Sequence, residues 1–288
     1  MERDECEMVR DKYVNGLYFW APFKDSNILE AMNYKPLDED IFIATYPKSG
    51  TTLMQNLVFL LKNKGEYPIN FNLRDYVPFI DIEGLKCLEK LSRPRLLKTH
   101  LPFDKMVFNE NAKYIFICRN PFDVCNSFYY HKKMMPAAYD FHGSFDEFFN
   151  RFIEGKVDFG NYFDHLNGWF TERNRENILF LTYEGLIEDL RGAVKRIGSF
   201  LGGEFLKNSN EDAIVDSVVQ KCSISSMKAM EKSFQPDIVK QGSSFIRKGV
   251  KGDYTTIMSK EQIDTLSKLF NEKCGDSGAN KIWKDKSI

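Results

Sequence analysis

Four short segments of this chain carry residue types that could act together on an anion. In TYPKSGTT (residues 45–52) an apolar run gives way to a lysine, a serine, a glycine and two threonines, and a helical pattern follows. Gly50 lets the backbone turn sharply, and the N–H groups of the next turn are unpaired donors at the positive end of a helix dipole. Ser49, Thr51 and Thr52 add hydroxyl donors, and Lys48 adds a mobile charge. Such a set makes a phosphate cradle; the alternative is an ordinary strand-to-helix turn capped by Ser or Thr. It is not a Walker A loop, because the G-x4-G-K-[ST] spacing is absent and the lysine precedes the glycine.

The second segment is RNPFDVCNS (residues 119–127). Arg119 leaves a strand where a P-loop enzyme would often place an acidic metal ligand, so it favours a second anionic group. Its bland alternative is a salt bridge, for instance to Asp123. Ser127, about two helical turns on, could face the same anion or simply pack a helix. The third segment is LKTHLP (residues 97–102), where His100 directly follows an apolar strand, next to Lys98. Histidine is the natural base for a hydroxyl near neutral pH. The fourth is FIRKGVKGDY (residues 245–254). Arg247, Lys248 and Gly249 there form a compact basic turn, either a solvated loop or a clamp on a phosphate.

These residues need elements to position them. Strand-length apolar runs at 41–45, 95–99, 113–118 and 178–183 alternate with helical patterns at 51–64, 121–133, 145–154 and 161–174, and the last hundred residues are mostly helical, as at 190–201 and 260–272. Continuously apolar strands are buried on both faces, which implies an α/β fold with a central parallel sheet flanked by helices, read as a single domain over 1–288. Ligands in such sheets bind beyond the carboxyl ends of the strands. All four segments follow a strand or come late in the chain, so the sheet would gather them.

Composition bounds the partners. Forty Lys+Arg against 41 Asp+Glu give a net charge of −1. That balance argues against an extended nucleic-acid surface but is blind to local clusters. Apolar residues make up 43%, enough for a sizeable core, and 25 Phe with 13 Tyr suggest an aromatic core or a pocket for a ring-bearing molecule. The six cysteines (Cys6, Cys87, Cys118, Cys125, Cys222, Cys274) form no CxxC pair and no metal pattern. A charged start, no apolar run long enough for a membrane span and no N-x-S/T sequon point to a reducing, cytoplasmic setting.

With these motifs in hand the chain resembles the cytosolic sulfotransferase family over nearly its whole length. TYPKSGTT resembles the family's loop for the 5′-phosphosulfate end of 3′-phosphoadenosine 5′-phosphosulfate (PAPS). RNPFDVCNS resembles its 3′-phosphate segment, RKGVKGD its C-terminal RKGxxGD element, and KTHLP its catalytic-histidine element. The resemblance implies a P-loop-like strand–loop–helix site and transfer of a sulfuryl group from PAPS to a small, mostly apolar phenol or alcohol, with an amine also open. By position it implies His100 as general base. Lys48 would stabilise the leaving phosphate, Lys98 would steady the sulfuryl oxygens, and Ser127 counts among both the catalytic and the donor-binding residues. Ser49, Gly50, Thr51 and Thr52 would hold the 5′-phosphate, and Arg119, Ser127, Arg247, Lys248 and Gly249 the 3′-phosphate. Tyr183 would lie near the adenine. Lysine and arginine supply the counter-charge, so no metal is expected.

Some positions depart from the family. Leu53 stands where a Trp usually follows GTT, and Ile224 where a second adenine-facing aromatic is usual, so aliphatic walls are expected there. His131 stands where many relatives have Phe, followed by Met134 and Met135 in a pocket-shaping region. The segment 254–264 departs from the short dimer motif of many relatives, which puts the usual dimer in doubt. Candidate pocket walls are Phe19, Trp20, Phe23, Phe79, Phe103, His131 and Phe141. Two rivals remain: a kinase-like nucleotide enzyme, which would need magnesium, and a non-catalytic nucleotide or small-molecule binding protein. His100→Ala is expected to abolish transfer and leave binding of the desulfated nucleotide nearly intact. Loss of both, measured by calorimetry beside activity, would make His100 structural.

Overall fold

Alternation along each apolar run sends successive side chains to opposite faces of a sheet, and here both faces are covered. The computed structural model describes residues 11–20, 23–234 and 239–283, with the backbone alone described at Ala137; Cys6 and the charged start fall outside the described residues. In chain order the strands are β1 (Lys12–Val14), β2 (Leu17–Phe19), β3 (Asp40–Thr45), β4 (Arg95–Thr99), β5 (Lys113–Cys118) and β6 (Ile178–Thr182). β1 and β2 form an antiparallel hairpin. The other four make one parallel sheet in the order β4-β3-β5-β6.

Every residue of β3 is buried. Phe42, Ala44, Tyr114 and Phe116 join the core that contains Phe163, Leu166 and Trp169. Ile41, Ile43, Ile115 and Ile117 join the opposite core, with Leu57, Val58 and Leu61 of the Thr51–Lys62 helix. A parallel strand must be followed by a crossover, so each strand hands the chain to a turn or helix at the same edge of the sheet. β3 leads into the Thr51–Lys62 helix. β5 leads into Pro121–Met134, with Pro at the first position and the Asn120 side chain accepting from the Phe122 N–H. β6 leads into Tyr183–Glu188, capped by Thr182. In register, Ala44 lies beside Thr99, Thr45 beside Ile117, and Cys118 beside Thr182. Thr45, His100, Arg119 and Tyr183 therefore come to one edge.

The expected parallel α/β architecture is observed, with small shifts at element ends. The helix expected over 51–64 stops at Lys62, because Lys64 and Gly65 take positive φ (53° and 79°). Tyr183 opens a helix instead of closing its strand. The helix expected over 161–174 runs Tyr162–Thr171, since Asn161 caps its start through the N–H groups of Phe163 and Asp164. Among the described residues, no helix is long and apolar enough to cross a membrane.

One buried ion pair ties the hairpin to this frame. Asp158 accepts the Trp20 N–H at 2.6 Å and pairs with Lys132, whose side chain is fully buried. The Lys132 ammonium also lies 3.5 Å from the Tyr139 ring centroid. Burial draws its pKa down to about 8, against the pull of Asp158. Removing one partner of a buried pair strands the other charge, at a cost of about 3–5 kcal/mol. Lys132→Met is expected to lower unfolding stability by about that amount in urea titrations; a change below about 1 kcal/mol would mean that the pair does not hold the hairpin.

Candidate active site

The turn after β3 gathers a lysine and three hydroxyl side chains around Gly50. Gly50 caps the following helix at φ 100°, and a Cβ there would lie 2.6 Å from the Tyr183 ring. Ser49 is buried, and its Oγ has no hydrogen-bond partner in the protein. The Thr51 and Thr45 hydroxyls share a 2.7 Å hydrogen bond. Lys48 holds a positive φ of 71°, and Phe159 across the same cavity holds 68°. Left-handed backbone at non-glycine residues costs on the order of 1–3 kcal/mol and gathers where geometry matters more than stability.

Arg119 leaves β5 beneath this turn. Its guanidinium donates to the Lys48 and Val250 carbonyls, each at 3.3 Å, and lies 4.5 Å from the Tyr183 ring centroid, while its Nε is buried without a partner. Asp123 approaches Arg119 only at 4.0 Å. The carboxylate instead accepts the N–H groups of Gly252 (2.8 Å) and Tyr254 (3.2 Å), so it fastens the C-terminal basic turn to the helix start. In that turn Arg247 and Lys248 both pair with Asp253, which also accepts from Asn126 at 3.0 Å. Burial pushes the Asp253 carboxyl up, but the bonds from Lys248, Arg247 and Asn126 outweigh it and hold the pKa below the usual range. Gly249 has φ 66°, and a Cβ there would overlap Ile224.

His100 is fixed from two sides. Its backbone N–H donates to Asp81 at 2.6 Å, and Asp81 also accepts from the Thr99 hydroxyl at 2.8 Å. On the ring, Nδ1 lies 2.7 Å from the Thr45 carbonyl, an acceptor only. Nδ1 must therefore carry the proton, which leaves the lone pair on Nε2. Burial, then the Lys98 charge, keeps the imidazole pKa well below its ordinary value, so the ring is neutral. Burial raises the Asp81 carboxyl to about 7 and lowers the Lys98 amine to about 8. Lys48 falls to about 7, through burial first and then the charges of Lys98, Arg119 and Arg247.

A single cavity of about 710 Å³ joins these parts. Lys48, Gly50, Thr51, Thr52, Leu53, Arg119, Ser127, Tyr183, Ile224, Arg247, Lys248 and Gly249 line it, together with Lys98, His100, Phe23, Phe79 and His131. Ser49 stands behind the cradle rather than on its wall. Four expected pocket aromatics belong elsewhere. Phe19 packs on Phe23 and Phe159, and Trp20 on Phe141. Phe103 packs on Phe108 and Trp169, and Phe141 also on Phe148. Each is absorbed by the aromatic core, because its chain segment turns it inward. Met135, Tyr139, Asp158 and Phe159 take their place on the wall. Thr45, Asp81 and Asp253 also act in the site and were missed from the sequence. Thr45 directly precedes the cradle, and the GD of RKGVKGD signalled Asp253, but Asp81 lies 19 residues before His100 with no local motif.

The sulfotransferase domain model matches residues 38–278. The chain belongs to the sulfotransferase family, enzymes that transfer a sulfuryl group. It is 37% identical to mouse sulfotransferase 2B1, over 82% of this chain and 71% of that one. It is 32% identical to the amine sulfotransferase of Oryctolagus cuniculus, over 93% and 92%. Its fold is similar to that of mouse sulfotransferase SULT7A1 complexed with PAP (TM-score 0.79, 23% identity, 96% and 98% covered). It is also similar to that of retinol dehydratase complexed with retinol and PAP (TM-score 0.72, 24% identity, 91% and 88% covered).

The glycines supply a test of the basic turn. Gly249 and Gly252 both have positive φ, yet a Cβ at Gly252 meets open space while one at Gly249 drives into Ile224. Gly249→Ala should weaken binding of a 3′,5′-bisphosphate nucleotide by about tenfold or more, and Gly252→Ala by far less, since only the ~1 kcal/mol backbone cost applies there. Calorimetric titration of both variants decides it; equal losses would mean that backbone strain alone is at work.

Proposed function

We propose that this protein transfers the sulfuryl group of PAPS to the hydroxyl, or the amine, of a small and mostly apolar acceptor. The observation that carries this reading is the shared cavity, in which an anion cradle, two lysines and a neutral histidine face an aromatic compartment. The fit to a bisphosphate donor rests on the orphaned Nε of Arg119, whose residue lines the cavity, and on Gly50 and Gly249, where a Cβ would press on Tyr183 and Ile224 of the same wall. Ser49, Gly50, Thr51 and Thr52 would hold the 5′-phosphate, and Arg119, Ser127, Arg247, Lys248 and Gly249 the 3′-phosphate. Leu53, Tyr183 and Ile224 would flank the adenine. The donor supplies the activated sulfuryl group; the protein positions it and balances its charge.

His100 Nε2 takes the acceptor proton as the new S–O bond forms and the bridging S–O bond breaks. Lys48 meets the charge that grows on the departing phosphate, so its contribution rises toward the transition state. An anion beside Lys48 favours its ammonium form, against the burial that lowers its pKa in the protein alone. Lys98, 3.8 Å from the Phe79 ring centroid, stands at the border of the two compartments and would steady the sulfuryl oxygens. Phe23, Phe79, Met135, Tyr139 and Phe159 form the acceptor walls. The described cysteines are free thiols, which supports a reducing, cytoplasmic setting.

Labelled PAPS offered with a panel of phenols, alcohols and amines should give labelled product, unaffected by EDTA. Activity that needs ATP and magnesium instead would overturn the reading. Because burial keeps His100 uncharged, the acid limb of the pH–rate profile should fall below the ordinary histidine range of about 6.5. A limb at or above that value would assign the proton to another group.

A further inference from the structure

His131 is a polar residue of the cavity wall that the reading above gives no task. It sits one helical turn after Ser127 on the Pro121–Met134 helix, so both side chains share a face, and both line the cavity. Its Nδ1 lies 3.2 Å from the Lys48 ammonium. An ammonium has only donors, so the ring nitrogen must accept, and the proton of the neutral imidazole sits on Nε2. On its other flank the Lys48 ammonium lies 5.2 Å from the Phe245 ring centroid. The His131 ring stands near Phe128, Tyr139 and Phe245, with centroids 6.0–6.1 Å apart. A phenylalanine at 131 would fill similar space and offer no acceptor.

We propose that His131 is a positioning residue for Lys48: its neutral Nδ1 holds one ammonium proton and leaves the other two N–H bonds for the donor's bridging and phosphate oxygens. The inference rests on the proposed sulfuryl transfer and deepens it. Burial, and after it the Lys48 charge, keeps the imidazole well below its usual pKa, which preserves the accepting lone pair. The charged and titratable groups facing the pair are Lys98 in β4 and His100 just after it, Arg119 after β5, Lys132 on the same helix, Arg247 and Lys248 in the C-terminal turn, and Tyr139 with Asp158 on the wall. The cations among them disfavour the charged form of Lys48, and the His131 lone pair is a neutral acceptor beside its ammonium.

The test compares His131→Phe with His131→Gln, whose amide oxygen can again accept from Lys48. Both are first titrated with PAP by calorimetry, and His131→Leu replaces the Phe variant if that variant does not bind. The apolar variant should lose about tenfold in kcat, with the donor KM within about threefold, because a lysine set for the transition state acts mainly on kcat. Its alkaline limb should move to lower pH by about one unit, since the ammonium has lost an acceptor. The Gln variant should return both readouts to near the wild type. Unchanged kcat and alkaline limb in the apolar variant, or a loss that Gln does not rescue, overturns the inference. Absence of turnover by the wild-type protein overturns the proposed function instead.

Discussion

One residue at the end of β3 ties the two halves of the site together. The Thr45 carbonyl accepts the proton of His100 Nδ1, and the Thr45 hydroxyl bonds to Thr51 at the start of the cradle helix. Anion cradle and candidate base are thus one hydrogen-bonded unit, set by a single backbone position. The unit exists because β3 and β4 are parallel and in register, Ala44 beside Thr99. Antiparallel pairing would send the two strand ends to opposite edges and separate them by the length of the sheet. The twin apolar cores that cover both faces of the sheet, and so force its strands to be apolar throughout, are what hold this register.

That dependence explains what could be read from sequence. The strands and the helices that follow them are local: apolar runs, Asn120, Pro121 and Asn161 mark them within a few residues. The cradle, His100, Arg119 and the basic turn were legible because each keeps its chemistry in one short motif. The acceptor walls were not. Phe19, Trp20, Phe103 and Phe141 look in sequence just like Phe23 and Phe79, and only packing decides which rings face the cavity and which face each other. Asp81 was hidden for the same reason. Its partners, Thr99 and His100, reach it through the fold and not through spacing.

The net charge of −1 also looks different from inside the molecule. Lys48, Lys98, Arg119, Arg247 and Lys248 converge on one cavity although they lie far apart in sequence. Two of them carry depressed pKa values: Lys98 because burial outweighs Asp81 and Glu83, and Lys48 because burial and the neighbouring cations act together. Positive φ at Lys48 and Phe159 and the raised carboxyl of Asp81 belong to the same account. Local stability is given up where the chemistry needs a fixed and electropositive surface, and the aromatic core around it supplies the difference.

Asp253 gives that surface a different temper. The carboxylate pairs with both Arg247 and Lys248, so under the proposed reading a phosphate held by the turn would trade places with an internal anion instead of meeting bare cations. Attraction is then a difference between two ion pairs, smaller than either. Tight grip would slow departure of the spent nucleotide, a step that limits many enzymes once chemistry is fast. A built-in competitor would make the turn an ion exchanger, which suits an enzyme that must let go of its spent nucleotide in every cycle.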